Sequence, residues 1–214
     1  MERTGMKYQL ADNFLFTEFF NTFREGMVKD FLSVFPNFSD KQPTPEEREL
    51  DPKYNMKTVG QWKTAGNAAA GDAWKVEGLR YTDPGVNTRS ATNRDKYPTA
   101  WQLVDYFDNL YPDGVEGGQI ACPIATYSIM EAHSRIGRHT GIENRRKQYV
   151  RCHIPLIVPE GDIVFEIERK VFITWDNVFA FDNQCEHSAW NNSSYRRLVF
   201  LIDLHRSIVK WPPA

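Results

Sequence analysis

An α+β fold, helices first and a β-sandwich or barrel after, is what the order of patterns in this chain predicts. Residues 12–35 carry apolar side chains at spacings of three and four, the period of a helix with one buried face. From about residue 119 the pattern changes to short β-branched and aromatic runs separated by turn residues, which reads as strands.

The first helical stretch, DNFLFTEFFNTFREGMVKDFLSVF (12–35), aligns Phe14, Phe16, Phe19, Phe20, Phe23, Met27, Phe31 and Leu32. Asp12 or Asn13 can cap it by accepting from a first-turn amide. Residues 36–97 are polar and rich in Pro, Lys, Asp and Gly. They are expected to form a long irregular surface segment or a lid over a site, since long loops in compact domains are often functional. PTAWQLVDYFDNLYP (98–112) predicts a second helix, with a proline at each end. The strand-like runs are QIACPIATYSIM, QYVRCHIPLIV, DIVFEIER, VFITW, NVFAFD and RRLVFLIDLH, with turns such as PEGD and ERK between them. So many short strands in one stretch imply a barrel or a doubled sheet, which protects strand edges. A single domain spanning 1–214 is expected, with a helical and loop region (1–118) packed on a β-core (119–206).

Bulk properties narrow the function. Apolar content of 41% and aromatic content of 14% suit a folded chain. A formal charge of −2 argues against general affinity for nucleic acid or anionic membrane. No run of apolar residues reaches the ~18 needed to span a bilayer, and MERTGMKYQL lacks a signal-peptide core. Three cysteines without C-x-x-C spacing make a disulfide framework unsuitable. A cytoplasmic protein with reduced thiols and no membrane span is the expectation.

The five histidines, His133, His139, His153, His187 and His205, all lie in the C-terminal half. His139 sits in RHTGIEN after a strand-like run, and His187 in FDNQCEHSAWN between strands ending at Phe181 and beginning near Arg197. Iron oxygenases often place a carboxylate two residues after such a histidine; here that position is Gly141. Arg151 and His153 are two apart on one strand and so share a face, suited to an anionic ligand or to solvent. Arg196 and Arg197 point to opposite faces of theirs. The apolar run Leu198–Val199–Phe200–Leu201 does not say which arginine is inward. An inward guanidinium needs a carboxylate partner to offset its desolvation. Arg135, Arg138, Arg145, Arg146 and Lys147 form a charge run that is either a solvated loop or a basic rim attracting an acidic substrate, and Trp190 is expected to be packing.

In their order, YSIM, RHTGIEN, YVRCHIPLIVPEG, a lone W, and FDNQCEHSAWNNSSYRRLVFLIDLH resemble the catalytic domain of the aspartyl/asparaginyl β-hydroxylase family. The resemblance covers about residues 119–206. It implies a double-stranded β-helix, the cupin-like jelly roll, with Fe(II), 2-oxoglutarate as cosubstrate, and O₂. By position it implies that His139 and His187 hold the metal with no carboxylate ligand, Gly141 being part of the family's HTG motif. Ser128 and Arg197 would then hold the distal carboxylate of 2-oxoglutarate, and Arg151 and His153 would contact the cosubstrate or its neighbours. Two neutral histidines leave the metal at 2+, which the dianionic cosubstrate balances. The implied activity is hydroxylation of an unactivated C–H bond in a small amino-acid-like, peptidyl or other anionic substrate, with succinate and CO₂ as co-products. Alternatives are a halogenase using the position beside Gly141 and a catalytically inactive cupin-like binding protein. The chain departs from the family in HTGIEN for HTGPTN, in a longer segment between His139 and His153, and in Asn183 where a second aspartate is frequent beside Asp182.

Overall fold

The computed structural model describes residues 7–42, 44, 63–64, 74–82, 92–141 and 148–211. Its helices are α1 (Thr17–Asn21), α2 (Arg24–Val34) and α3 (Pro98–Leu110). Its strands are β1 (Tyr8–Gln9), β2 (Lys63–Thr64), β3 (Trp74–Tyr81), β4 (Ile124–Met130), β5 (Ser134–His139), β6 (Tyr149–Ile157), β7 (Ile163–Ile167), β8 (Val171–Ile173), β9 (Phe179–Phe181), β10 (His187–Asn191) and β11 (Arg197–His205). They form two antiparallel sheets, β1-β9-β6-β11-β4-β3-β2 and β5-β10-β7-β8. The sheets face each other as a double-stranded β-helix, since one apolar cluster joins Met130, Val199 and Leu201 of the larger to Ile136, Ile163, Phe165 and Ala189 of the smaller.

β11 shows why its apolar run could not be oriented by alternation: the strand is buried on both faces. Leu198, Phe200, Ile202 and Leu204 join a second cluster with Phe20, Met27, Phe31, Trp101 and Phe107 of the helices. Val199 and Leu201 face the smaller sheet, and Arg197, at the same parity, shares their side. Each large side chain so buried contributes about 1.5–3 kcal/mol.

Several expectations are corrected. The stretch 12–35 is not one helix but a 3₁₀ turn (Ala11–Asn13), α1 and α2. Thr17 Oγ1 donates to the carbonyls of Ala11 and Phe14, and Thr22 Oγ1 to that of Phe19, so side chains compete with the ladder at the breaks. β3 lies within the segment read as irregular, and it pairs with β4 along its length. Its polar residues escaped a strand reading because their partners are distant in sequence. Lys75 pairs with Glu131 at 2.9 Å, and Arg80 grips Asp108 of α3 through two bonds of 2.9 and 2.7 Å. The rest of the lid reading falls mostly outside the described residues. β5 and β10, read as turn and connection, are strands of the smaller sheet. Both arginines left open by the sequence are in fact buried: Arg196 lies on the other face from Arg197, and its Nε donates to Glu131 at 3.0 Å.

The helices pack closely where Gly26 meets α3. A Cβ there would come within 2.6 Å of Thr99 Cγ2. Asp30 of α2 accepts from the Thr99 amide at 2.7 Å, satisfying a first-turn donor of α3. No helix among the described residues is long and apolar enough to cross a membrane.

Candidate metal and anion site

His139 ends β5 and His187 begins β10, and the two are directly opposed in register. The register slips between His187 and Ala189, placing an extra residue in β5. Such a bulge re-aims side chains beside a site. The two imidazoles approach to 4.2 Å between centroids at an interplanar angle of 56°. Each is oriented by a carbonyl two residues earlier: His139 Nδ1 donates to Gly137 O and His187 Nδ1 to Cys185 O, both at 2.8 Å. A carbonyl only accepts, so both rings carry hydrogen on Nδ1 and present the Nε2 lone pair. Burial, and then the neighbouring His139, pulls His187 down to about 3, favouring the neutral form that ligates metal. Among the described residues no third His, Cys, Asp or Glu joins them in a metal-binding group.

Gly141 is where a carboxylate ligand would stand in other sites, and the structure explains the glycine. An added Cβ would lie 2.6 Å from Asn183 Nδ2 and 2.9 Å from its carbonyl oxygen, which already accepts from the Gly141 amide at 2.6 Å. Asn183 is buried, and neither atom of its side-chain amide has a hydrogen-bond partner among the described residues; an unpaired buried group of this kind costs about 1–3 kcal/mol. Asp182 pairs with Arg206 and accepts from the Gln184 amide.

The opposite wall comes from the larger sheet. His139, His187, Ser128, Arg151, His153 and Arg197 all line one cleft, with Ile136, Phe165, Phe181 and Leu201 among its apolar walls. Arg197 is 2% exposed and has no carboxylate within ion-pairing distance among the described residues. Its Nη2 donates to Ser128 Oγ at 3.2 Å, its Nε finds no acceptor among the described residues, and its Cζ lies 4.5 Å from the Trp175 ring centroid. Desolvation pulls it down to about 9. Ser128 Oγ also accepts from Trp74 Nε1 at 2.9 Å, so both its lone pairs are engaged and its hydroxyl hydrogen remains to donate. Arg151 differs from Arg197: Asp203, its register partner on β11, takes its Nε and Nη2 at 2.7 and 2.9 Å. Its charge is neutralised within the wall. His153 accepts at Nδ1 from Trp175 Nε1 at 3.0 Å, and burial, then Arg197 and Arg151, hold it well below its ordinary value.

The remaining candidates lie elsewhere. His133 sits half-buried in the β4–β5 turn, and His205 Nδ1 is 2.7 Å from Ser207 Oγ. Arg138 is tied to Glu166 at 2.9 Å, and Arg135 lies over the Trp190 ring, whose Nε1 donates to Asp162. Arg145, Arg146 and Lys147 of the basic run fall outside the described residues. Sequence reading missed Trp74, hidden in a polar segment, and left Trp175 without a role; an indole whose N–H is spent inside a wall has no local sequence signal.

A family model for aspartyl/asparaginyl β-hydroxylase matches residues 42–207, further toward the N-terminus than 119–206 and taking in β3 and α3. The chain is 32% identical over 93 residues to aspartyl/asparaginyl β-hydroxylase of Homo sapiens, covering 42% of this chain and 11% of that protein. It is 27% identical over 123 residues to the ornithine lipid ester-linked acyl 2-hydroxylase of Rhizobium tropici, 56% of this chain and 38% of that one. The matched stretch is therefore well under two-thirds of either relative's length. A solved prolyl hydroxylase of Trichoplax adhaerens, in complex with a hypoxia inducible factor peptide fragment, superposes with a TM-score of 0.49 at 11% identity, covering 88% of this chain and 80% of that one.

Proposed function

The chain belongs to the aspartyl/asparaginyl β-hydroxylase family, and on that footing we propose that it is an iron(II)- and 2-oxoglutarate-dependent oxygenase hydroxylating an unactivated C–H bond. The observation that carries this reading is Arg197, a buried guanidinium with no carboxylate partner among the described residues, on the same cleft as two imidazoles whose Nδ1 atoms are spent on carbonyls and whose Nε2 lone pairs are left to ligate. A dianion with a metal-chelating end and a distal carboxylate fits that pair of features. The donor set also fits the metal, because neutral imidazoles suit iron(II) and two of them leave positions open.

His139 and His187 would hold iron(II), which would supply dioxygen activation coupled to oxidative decarboxylation of 2-oxoglutarate to succinate and CO₂. The protein's share is binding, orientation and exclusion of water. The Gly137 and Cys185 carbonyls keep the ligand rings aimed. The Arg197 guanidinium and the Ser128 hydroxyl would donate to the distal carboxylate, a charge-assisted contact that burial would strengthen. Phe165, Phe181, Ile136 and Leu201 keep the cleft apolar around it. Arg151, already paired, braces the wall through Asp203.

The substrate we infer is a small amino-acid-like, peptidyl or other anionic molecule. Cys122, Cys152 and Cys185 are free thiols, which suits work in the cytoplasm. Iron-loaded protein is expected to form succinate from 2-oxoglutarate, stimulated by one member of a panel of acidic amino acids, aspartyl and asparaginyl peptides, and acyl lipids. His187→Ala should lose metal binding while keeping its circular-dichroism spectrum. Metal-loaded, folded protein that makes no succinate with any of the panel would refute the activity.

A further inference from the structure

We propose that Trp175 is a positioning residue that presets two donors of the cleft at once: its indole N–H dictates which nitrogen of His153 bears hydrogen, and its ring face seats the Arg197 guanidinium. Trp175 lies in the β8–β9 connection, 1% exposed, with a backbone φ of 59°. That left-handed conformation is strained for a bulky L-residue and persists only where surrounding structure holds it. Glycine or asparagine would adopt it more easily, so the strain accompanies a side chain with specific contacts.

Those contacts are directional. An indole nitrogen is a donor and never an acceptor. With Trp175 Nε1 3.0 Å from His153 Nδ1, the imidazole must accept there and carry its hydrogen on Nε2. This is the opposite tautomer from His139 and His187, whose Nδ1 atoms face carbonyls. Phe179, Phe165 and Phe181 surround the His153 ring at centroid distances of 4.6, 5.0 and 5.4 Å, which restrains it from turning. His153 therefore lines the cleft as a hydrogen donor and not as a third imidazole lone pair competing for metal. The same indole lies 4.5 Å from Arg197 Cζ, a cation–π contact that holds the guanidinium without consuming its N–H groups.

The inference rests on the proposed reading only for the identity of the anion, 2-oxoglutarate. Two measurements test it. In metal-free protein labelled with ¹⁵N-histidine, two-bond ¹H–¹⁵N correlations are expected to show His153 as the Nε2–H tautomer. In Trp175→Phe, which keeps a ring but loses the N–H, the Nδ1–H form should appear. Affinity of the manganese-loaded protein for 2-oxoglutarate should then fall about tenfold while manganese affinity is unchanged. An Nδ1–H tautomer in the wild type overturns the proposal, and that measurement needs no variant to fold. So does a folded Trp175→Phe with wild-type tautomer and 2-oxoglutarate affinity. Wild-type protein that shows the Nε2–H tautomer but does not bind 2-oxoglutarate leaves Trp175 in its role and removes the proposed activity instead.

Discussion

Arg151 and Arg197, on adjacent strands and both buried, are placed for different ends. Arg151 is matched by Asp203, whereas Arg197 has no carboxylate among the described residues. Arg197→Met is therefore expected to raise the thermal midpoint of the ligand-free protein, relieving an uncompensated buried charge worth roughly 1–3 kcal/mol, while abolishing 2-oxoglutarate binding. Arg151→Met removes the two-bond partner of the buried Asp203 carboxylate and should destabilise by about 3 kcal/mol. Melting curves and calorimetry on both variants check this, and a loss of stability in Arg197→Met would show that its charge is compensated. In the sequence the two arginines look alike. What separates them is a cross-strand register, which a chain read in one dimension does not display.

At the level of elements, the turn after β5 is fitted against the turn between β9 and β10 through Gly141 and Asn183. Gly141→Ala must displace backbone as well as side chain, and is expected to cost roughly 1–3 kcal/mol and to weaken metal binding through His139. Gly141→Asp should behave the same way and not create a third ligand. Chemical denaturation and metal titration distinguish that from tolerated substitution. The long periodic features were readable beforehand: the helix at 98–110, and β4, β6, β7 and β11 within the strand-like runs. β3, β5 and β10 were not, for a common reason. Each carries charged or small residues whose partners, such as Glu131 for Lys75 and Glu166 for Ser188, lie far away in sequence. The histidines were conspicuous; the backbone that brings them face to face was not.

For the whole molecule, acid sensitivity follows from the groups the fold buries. His153, by burial first and then by Arg197 and Arg151, is kept neutral below the ordinary 6.5, and His205 is lowered by burial. The unfolded chain takes up those protons first, so stability is full above 6.5 and declines as pH falls. The slope is about 1.4 kcal/mol per unit for a histidine that must stay neutral. Glu131, where Arg196 and Lys75 outweigh the upward push of burial, and Glu166, held down by the Ser188 hydroxyl and Arg138, lie below the ordinary 4.5. Their contribution is present above that value and is lost beneath it. Thermal midpoints of the metal-free protein should drop steadily from pH 7 to 4, and a flat profile between 7 and 5 would contradict the buried neutral histidines. A last consequence comes from the provenance of the site's two walls. Both candidate metal ligands belong to the four-stranded sheet, and Ser128, His153 and Arg197 to the seven-stranded one. A metal alone would clip two neighbouring strands, but a dianion reaching from that metal to Arg197 would rivet one leaf of the sandwich to the other, so that the loaded protein is mechanically a different object from its parts.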